Sequence, residues 1–170
     1  MPVTSDSARR SPRKGDELDV AIESVAFGGD GVARVDGYVI FVPDVIPGER
    51  VRIAVTASKR SYGRAVPVRI LETSPDRVEP RCPVYGTCGG CQYQHVSYAR
   101  SLEFKGRQLS EVASRIGGLA VDEVCDPIRP APAAYGYRTA VSLRVRTAGH
   151  VLEAGYSARD NTTFIPVAGC

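Results

Sequence analysis

Three cysteines crowd one short stretch of the 170-residue chain: in RCPVYGTCGGCQYQH, Cys82, Cys88 and Cys91 are separated by five residues and then by two. Pro83 follows the first thiol directly, and Gly89-Gly90 fill the short gap. A loop of this composition can converge three sulfurs. Thiolates are soft anionic donors that bind iron or zinc strongly, and glycines let the backbone turn its N–H groups towards the sulfurs. A cubane of four irons needs a fourth thiolate, and Cys125 and Cys170 are the two cysteines left to supply it. Zinc ribbons use two C-x2-C pairs where this chain has one, and a disulfide framework belongs to exported proteins. Tyr85 and Tyr93 suit a shell that shields a cluster, whereas His95, just before a helix, reads as a capping or packing residue.

A second group of residues is suited to binding anions. Acidic and basic residues balance at twelve each over the first eighty positions, so the formal charge of +3 decides little. Local charge says more: Arg50, Arg52, Lys59, Arg60, Arg64 and Arg69 fall between Arg50 and Leu71 with no Asp or Glu among them. Such a stripe is the footprint expected of a nucleic-acid contact, because neutralised phosphates release condensed counterions. Within it Lys59, Arg60, Tyr62 and Arg64 combine cations with an aromatic ring, which suits phosphates and stacking on an unpaired base. Phe41, in the middle of an apolar run, reads first as core. Arg138, Arg144 and Arg146 could line a further surface, the last two sharing one face of a strand.

The elements that must position these residues follow from periodicity. Met1 to about Gly15 is rich in Ser, Pro and Arg, which reads as a disordered basic tail over 1–15. Alternation at Leu18, Val20 and Ile22, at Val51, Ile53 and Val55, and at Val66, Val68 and Ile70 predicts half-buried strands, with Pro67 pointing to an edge. In VARVDGYVIFV, Asp36-Gly37 makes a tight hairpin turn whose second arm ends before Pro43. About five short strands over 16–74 have exposed edges unless they close, so an OB-like barrel is expected. After it come the cysteine segment and a helix over 97–117, with Ser97 as N-cap and Gly117-Gly118 as terminator. Tyr98, Leu102, Leu109, Val112 and Ile116 would lie on one face of it. Thr139–Arg146 and Val151–Ser157 read as a hairpin turning at Ala148-Gly149, within a partial central β domain that completes 75–170. The fold class is thus mainly β, with an α+β second unit.

The stretch CPVYGTCGGCQYQHVSYARSLEFKGRQL closely resembles the cluster-binding segment of the bacterial RNA uracil-C5 methyltransferases. GGDGVARVDGYVIFVPDVIPGERV and SPDRVEPRC likewise resemble the TRAM domain that precedes that segment, so the resemblance covers roughly residues 16–170. It implies a TRAM barrel that binds ribosomal or transfer RNA, and a 4Fe-4S cluster held by Cys82, Cys88, Cys91 and Cys170. The last thiol is placed by the family's context around FIPVAGC, which makes Cys125 a bystander. In the family a Rossmann-like domain binds S-adenosylmethionine, its cysteine attacks uracil C6, and its glutamate removes the C5 proton. The one dense glycine run here, Gly28-Gly29-Asp30-Gly31, lies between two barrel strands and not at a strand-to-helix turn. The expectation is therefore a monomeric, cytoplasmic fragment without catalytic residues of its own, S-adenosylmethionine being used only by the full-length enzyme. The competing reading is a stand-alone RNA-binding iron-sulfur or zinc protein. A radical methylthiotransferase would show C-x3-C-x2-C in place of C-x5-C-x2-C.

Overall fold

The structure is a computed structural model that describes residues 11–120, 126–167 and 170. The chain divides into two units, Met1–Pro75 and Asp76–Cys170.

The first unit is built on a bent strand. β1 (Glu17–Ala21) pairs antiparallel with β5 (Arg50–Ser58), and after a short break β2 (Ser24–Val25) pairs with β3 (Gly31–Val35). Bonds from Ile22 N–H to Glu49 O at 2.9 Å and from Glu23 N–H to Val32 O at 2.8 Å carry the pairing through the break. The sheet order β1-β5-β6-β4-β3-β2 therefore begins and ends on one continuous run, which joins its two edges. Counted so, the expected five strands are present, and the closure joins the two outer edges of the sheet. The β3–β4 hairpin (β4, Tyr38–Val42) turns where Asp36 and Gly37 take φ of 51° and 85°, the conformation a two-residue hairpin loop requires. Ile40, Val42, Val45, Val51 and Ile53 have no exposed surface, and each contributes about 1.5–3 kcal/mol by leaving water.

Two expectations fail here. β6 (Tyr62–Glu72) does not point Val66 and Val68 inward: they are 45% and 53% exposed, while Gly63 and Ala65 are buried. The pairing shifts register between Arg52↔Arg69 and Ile53↔Pro67, leaving Val68 as an extra residue. That bulge reverses the in-out parity, so Pro67 and Ile70 lie opposite the buried Ile53 and Val51. β4 covers β6 only at residues 62–64, so Pro67 is paired on one side alone, as its missing N–H demands. Order also begins earlier than tail composition suggests: Pro12 is buried, and Gly15 N–H donates to Val55 O at 2.8 Å.

In the second unit an Arg77↔Val96 bridge closes the cysteine loop, and α1 (Tyr98–Gly117) follows. The Ser97 side chain accepts from Arg100 N–H at 3.4 Å. At the other end Gly118, left-handed at φ 63°, and Leu119 donate to Ser114 O and Ala113 O, which satisfies the last carbonyls. The buried helix residues are Ser101, Phe104 and Gln108, not the expected apolar stripe: Leu109, Val112 and Ile116 are exposed, the last at 83%. The cysteine loop takes the N-terminal half of the helix, through Tyr93 to Gln108 and Asp76 to Arg100. A three-stranded sheet of β7 (Arg144–Ala148), β8 (Val151–Ser157) and β9 (Phe164–Pro166) completes the unit. The hairpin turns where expected, but its first arm begins at Arg144 and not at Thr139. Gly155 is required by close approach, since a Cβ there would lie 2.1 Å from Ile165 O.

Candidate nucleic-acid interface and cysteine site

The cysteine loop is a chain of tight turns. Tyr85 N–H donates to Cys82 O at 3.1 Å, Cys88 N–H donates to Val84 O at 2.9 Å, and Cys82 N–H reaches the Gln94 side chain at 3.1 Å. The Tyr85 hydroxyl donates to Gln92 O at 3.0 Å and lies 2.5 Å from Nδ1 of the buried His95, so the histidine packs and braces the loop as expected. The loop is fixed to the end of β8. Gly89 N–H donates to Ser157 O at 2.9 Å, Cys88 bridges to Ala158, and Arg159 N–H reaches Thr87 O at 3.3 Å. A Cβ at Gly89 would stand 3.0 Å from Ser157 O, so the small residues between Cys88 and Cys91 permit the approach.

Of the four thiols, Cys88 is buried, Cys82 and Cys91 are half-buried and Cys170 is exposed, and none forms a disulfide. Gly90 N–H points at Cys88 Sγ from 3.4 Å. Tyr156 lies on β8. Its phenol is pushed above the ordinary tyrosine range first by burial and then by Cys170, to which it hydrogen-bonds, with Cys91 adding in the same direction. A depression of about 390 Å³ lined by Arg138, Ala140, Val141, Ser142 and Tyr156 opens beside it. Among the described residues, no three His, Cys, Asp or Glu side chains are gathered closely enough to hold a metal ion. Cys125 lies outside the described residues.

The basic stripe of the first unit resolves into two kinds of cation. Arg52 forms a bidentate pair with Asp19 at 2.7 and 2.9 Å, which holds the carboxyl below the usual aspartate range. Arg50 pairs with Glu72 at 3.5 Å and Arg64 with Asp30 at 3.3 Å. Lys59 and Arg60 occupy the exposed β5–β6 turn and have no carboxylate partner among the described residues. The Tyr38 hydroxyl anchors this turn, accepting from Lys59 N–H at 3.2 Å and donating to Lys59 O at 2.8 Å. A depression of about 280 Å³ runs from Arg60 and Ser61 to the β3–β4 turn.

Phe41, expected in the core, lies on the outer surface. Its neighbours Ile40 and Val42 are both fully buried, but Phe41 is only half-buried and meets the Tyr62 ring at 5.7 Å and 73°. It is also in register with Arg64. Lys59, Arg60, Tyr62 and Arg64 are therefore joined by an aromatic that composition hid, although counting alternate positions from the buried Ile40 would have found it. In the second unit Arg144 bonds Ser157 at 2.9 Å, and Arg146 pairs with Glu153 at 2.8 Å while lying over the Phe164 ring. Arg146 is thus engaged within its own sheet.

Residues 13–68 match the TRAM domain family. An uncharacterized RNA methyltransferase of Halalkalibacterium halodurans is 46% identical over 112 residues, which is 65% of this chain and 24% of the relative. Another, from Listeria monocytogenes, is 36% identical over 160 residues, 93% of this chain and 34% of the relative. Among solved structures, the Pyrococcus abyssi tRNA (uracil-54, C5)-methyltransferase in complex with S-adenosyl-L-homocysteine aligns at a TM-score of 0.56 and 25% identity. The alignment covers 90% of this chain and 32% of that one. The chain spans about a quarter to a third of the length of these proteins. No described helix is long and apolar enough to cross a membrane.

Proposed function

We propose that this chain, a TRAM-containing homologue of bacterial RNA methyltransferases, is the RNA-gripping and cluster-carrying part of a uracil-C5 methyltransferase. It works in the cytoplasm as a monomer on ribosomal or transfer RNA. The barrel holds the substrate: Lys59, Arg60 and Arg64 neutralise phosphates, and Tyr62 offers a ring to an unpaired base. S-adenosylmethionine, the attacking thiolate and the proton-removing base belong to the portion of such enzymes that this chain does not span. Uracil C5 is too weak a nucleophile to take a methyl group until a thiolate adds at C6, so the barrel's task is to present the uridine to residues elsewhere.

Cys82, Cys88, Cys91 and Cys170 would hold a 4Fe-4S cluster. The donor set suits that group in kind: all four are thiols, one already receives a backbone N–H, and the loop carrying three of them is fixed to the end of β8. When bound, the cluster supplies a four-point covalent staple between loop and sheet, which orders the segment. The observation that supports this assignment is that three thiols share one loop fastened to the end of β8 by the Gly89–Ser157 bond and the Cys88–Ala158 bridge.

Anaerobic purification followed by iron and acid-labile sulfide analysis tests it. Wild type should contain both in equal amounts, Cys170→Ser should lose them, and Cys125→Ser should keep them. Equal loss from Cys125→Ser would overturn the ligand assignment. Zinc without sulfide would replace the cluster with a different metal.

A further inference from the structure

The most exposed large apolar side chain described in the first unit is Phe27, at 81%. It stands at the tip of the β2–β3 turn, which is fixed by bonds from Ala26 N–H to Asp30 O at 2.8 Å and from Gly29 N–H to Ala26 O at 3.0 Å. A turn closed this tightly cannot fold its ring under the barrel. Asp30, at the foot of the same turn, pairs with Arg64 at 3.3 Å. Arg64 is in register with Phe41, whose ring meets Tyr62, and Tyr62 O accepts the N–H of Lys59 at 2.9 Å. A connected outer face therefore runs from Phe27 through Arg64, Phe41 and Tyr62 to Lys59 and Arg60. The burial of Ile40, Val42, Gly63 and Ala65 fixes which side of β4 and β6 this face occupies.

This face offers two separated rings, with unpartnered cations at one end. Protein-binding surfaces deplete charge at their apolar centres, and a duplex keeps its base faces stacked on one another, where Phe27 and Tyr62 could not reach them. An unpaired strand presents both base faces and phosphates. We infer that this face binds a single-stranded RNA segment, Phe27 and Tyr62 stacking on two different unpaired bases while Lys59 and Arg60 hold the phosphates. Phe41 supports the Tyr62 ring edge-on, and Arg64, between the two stacking positions, can exchange Asp30 for a phosphate. Stacking reads the π-face that every base has, so the site tolerates sequence and discriminates by strandedness. The inference rests on the RNA-binding reading above and goes beyond it by naming the form of RNA and a residue, Phe27, outside the basic cluster.

Fluorescence anisotropy on the full chain separates the two. The probes are an unstructured RNA of about twelve nucleotides, within the site sizes of such barrels, and a blunt RNA duplex of equal length. Wild type should prefer the single strand. Phe27→Ala should weaken single-strand binding about 5- to 150-fold, the range that ~1–3 kcal/mol of lost stacking converts to, with duplex binding unchanged. Phe27→Tyr should restore it, whereas Phe27→Leu, apolar but without a ring, should not. Unchanged single-strand binding by Phe27→Ala, equal losses on both probes, or a wild type that binds duplex as tightly would overturn the inference. If Lys59→Ala/Arg60→Ala then still weakens binding, the RNA-binding reading survives without it. No binding of wild type to either probe overturns both.

Discussion

The partition of the basic stripe sets the salt dependence of RNA binding. Of its six cations, Arg52 is committed to Asp19 through two short bonds and Arg50 leans on Glu72. Lys59 and Arg60 extend from the β5–β6 turn, and Arg64 holds Asp30 by one contact of 3.3 Å with 62% of its side chain exposed. An exposed pair of that kind is worth only ~0.2–1 kcal/mol, so a phosphate can displace Asp30. With Arg69 opposite Arg52 on the β5–β6 ladder and away from the turn, Lys59, Arg60 and Arg64 are the three cations left on this face to neutralise phosphates. At ~0.7 released counterions per phosphate on a single strand, log Kobs should fall with log salt at a slope of about −2. Raising salt from about 50 to 200 mM should then weaken binding about 20-fold. Lys59→Ala/Arg60→Ala should reduce the slope to about −0.7, whereas Arg52→Ala should leave it unchanged. The assay is anisotropy across a salt series. A wild-type slope near zero, or an Arg52→Ala chain whose slope flattens as much as that of the double variant, would refute the partition.

Three further outcomes are expected. Gly155→Ala places a Cβ 2.1 Å from Ile165 O and 2.8 Å from Phe164 Cζ, so β9 must shift. The cost should be about 1–3 kcal/mol in the melting of the second unit, with loss of bound iron but unchanged RNA affinity. Ile53→Ala empties a fully buried position between β1 and β6 and should cost about 2–5 kcal/mol in urea unfolding of the barrel. Asp160 is held well below the usual aspartate range by the Thr163 hydroxyl and by the backbone N–H groups of Thr163 and Thr162. Because its folded value is depressed, its contribution is complete above the unfolded pKa of about 3.9 and is lost as pH falls through the folded value. A carboxyl NMR titration should show a midpoint below the ordinary range; an ordinary midpoint would sink the argument.

What the sequence made legible was local. The Asp36-Gly37 turn, the stop at Pro43, and the Ser97 and Gly118 caps each depend on a residue's own backbone preferences, and the structure has them in place. What could not be read was parity over distance. One extra residue at Val68 reverses the faces of β6, so a correct strand carried a wrong inward set. The helix shows the same limit in another form. Periodicity finds an apolar stripe at Leu109, Val112 and Ile116, but which face is covered depends on what packs there. The cysteine loop instead takes Phe104 and Gln108, the latter because its amide meets the Tyr93 hydroxyl.

The site divides along the same line. Cys82, Cys88 and Cys91 share one short loop, so their spacing alone suggested a joint role. Cys170 was assigned only by resemblance to a known family. In the structure its partner is Tyr156, a residue with no spacing relation to any cysteine motif. That meeting depends on backbones approaching as closely as glycine allows: Gly89 against Ser157 and Ala158, and Gly155 against Ile165. Both contacts lie at the C-terminal end of β8, the strand that carries Tyr156. The glycines that look like loop filler in the sequence thus fasten the loop thiols to β8, which the proposed cluster would require. For that reason Gly155→Ala, which removes no ligand, is expected to cost iron.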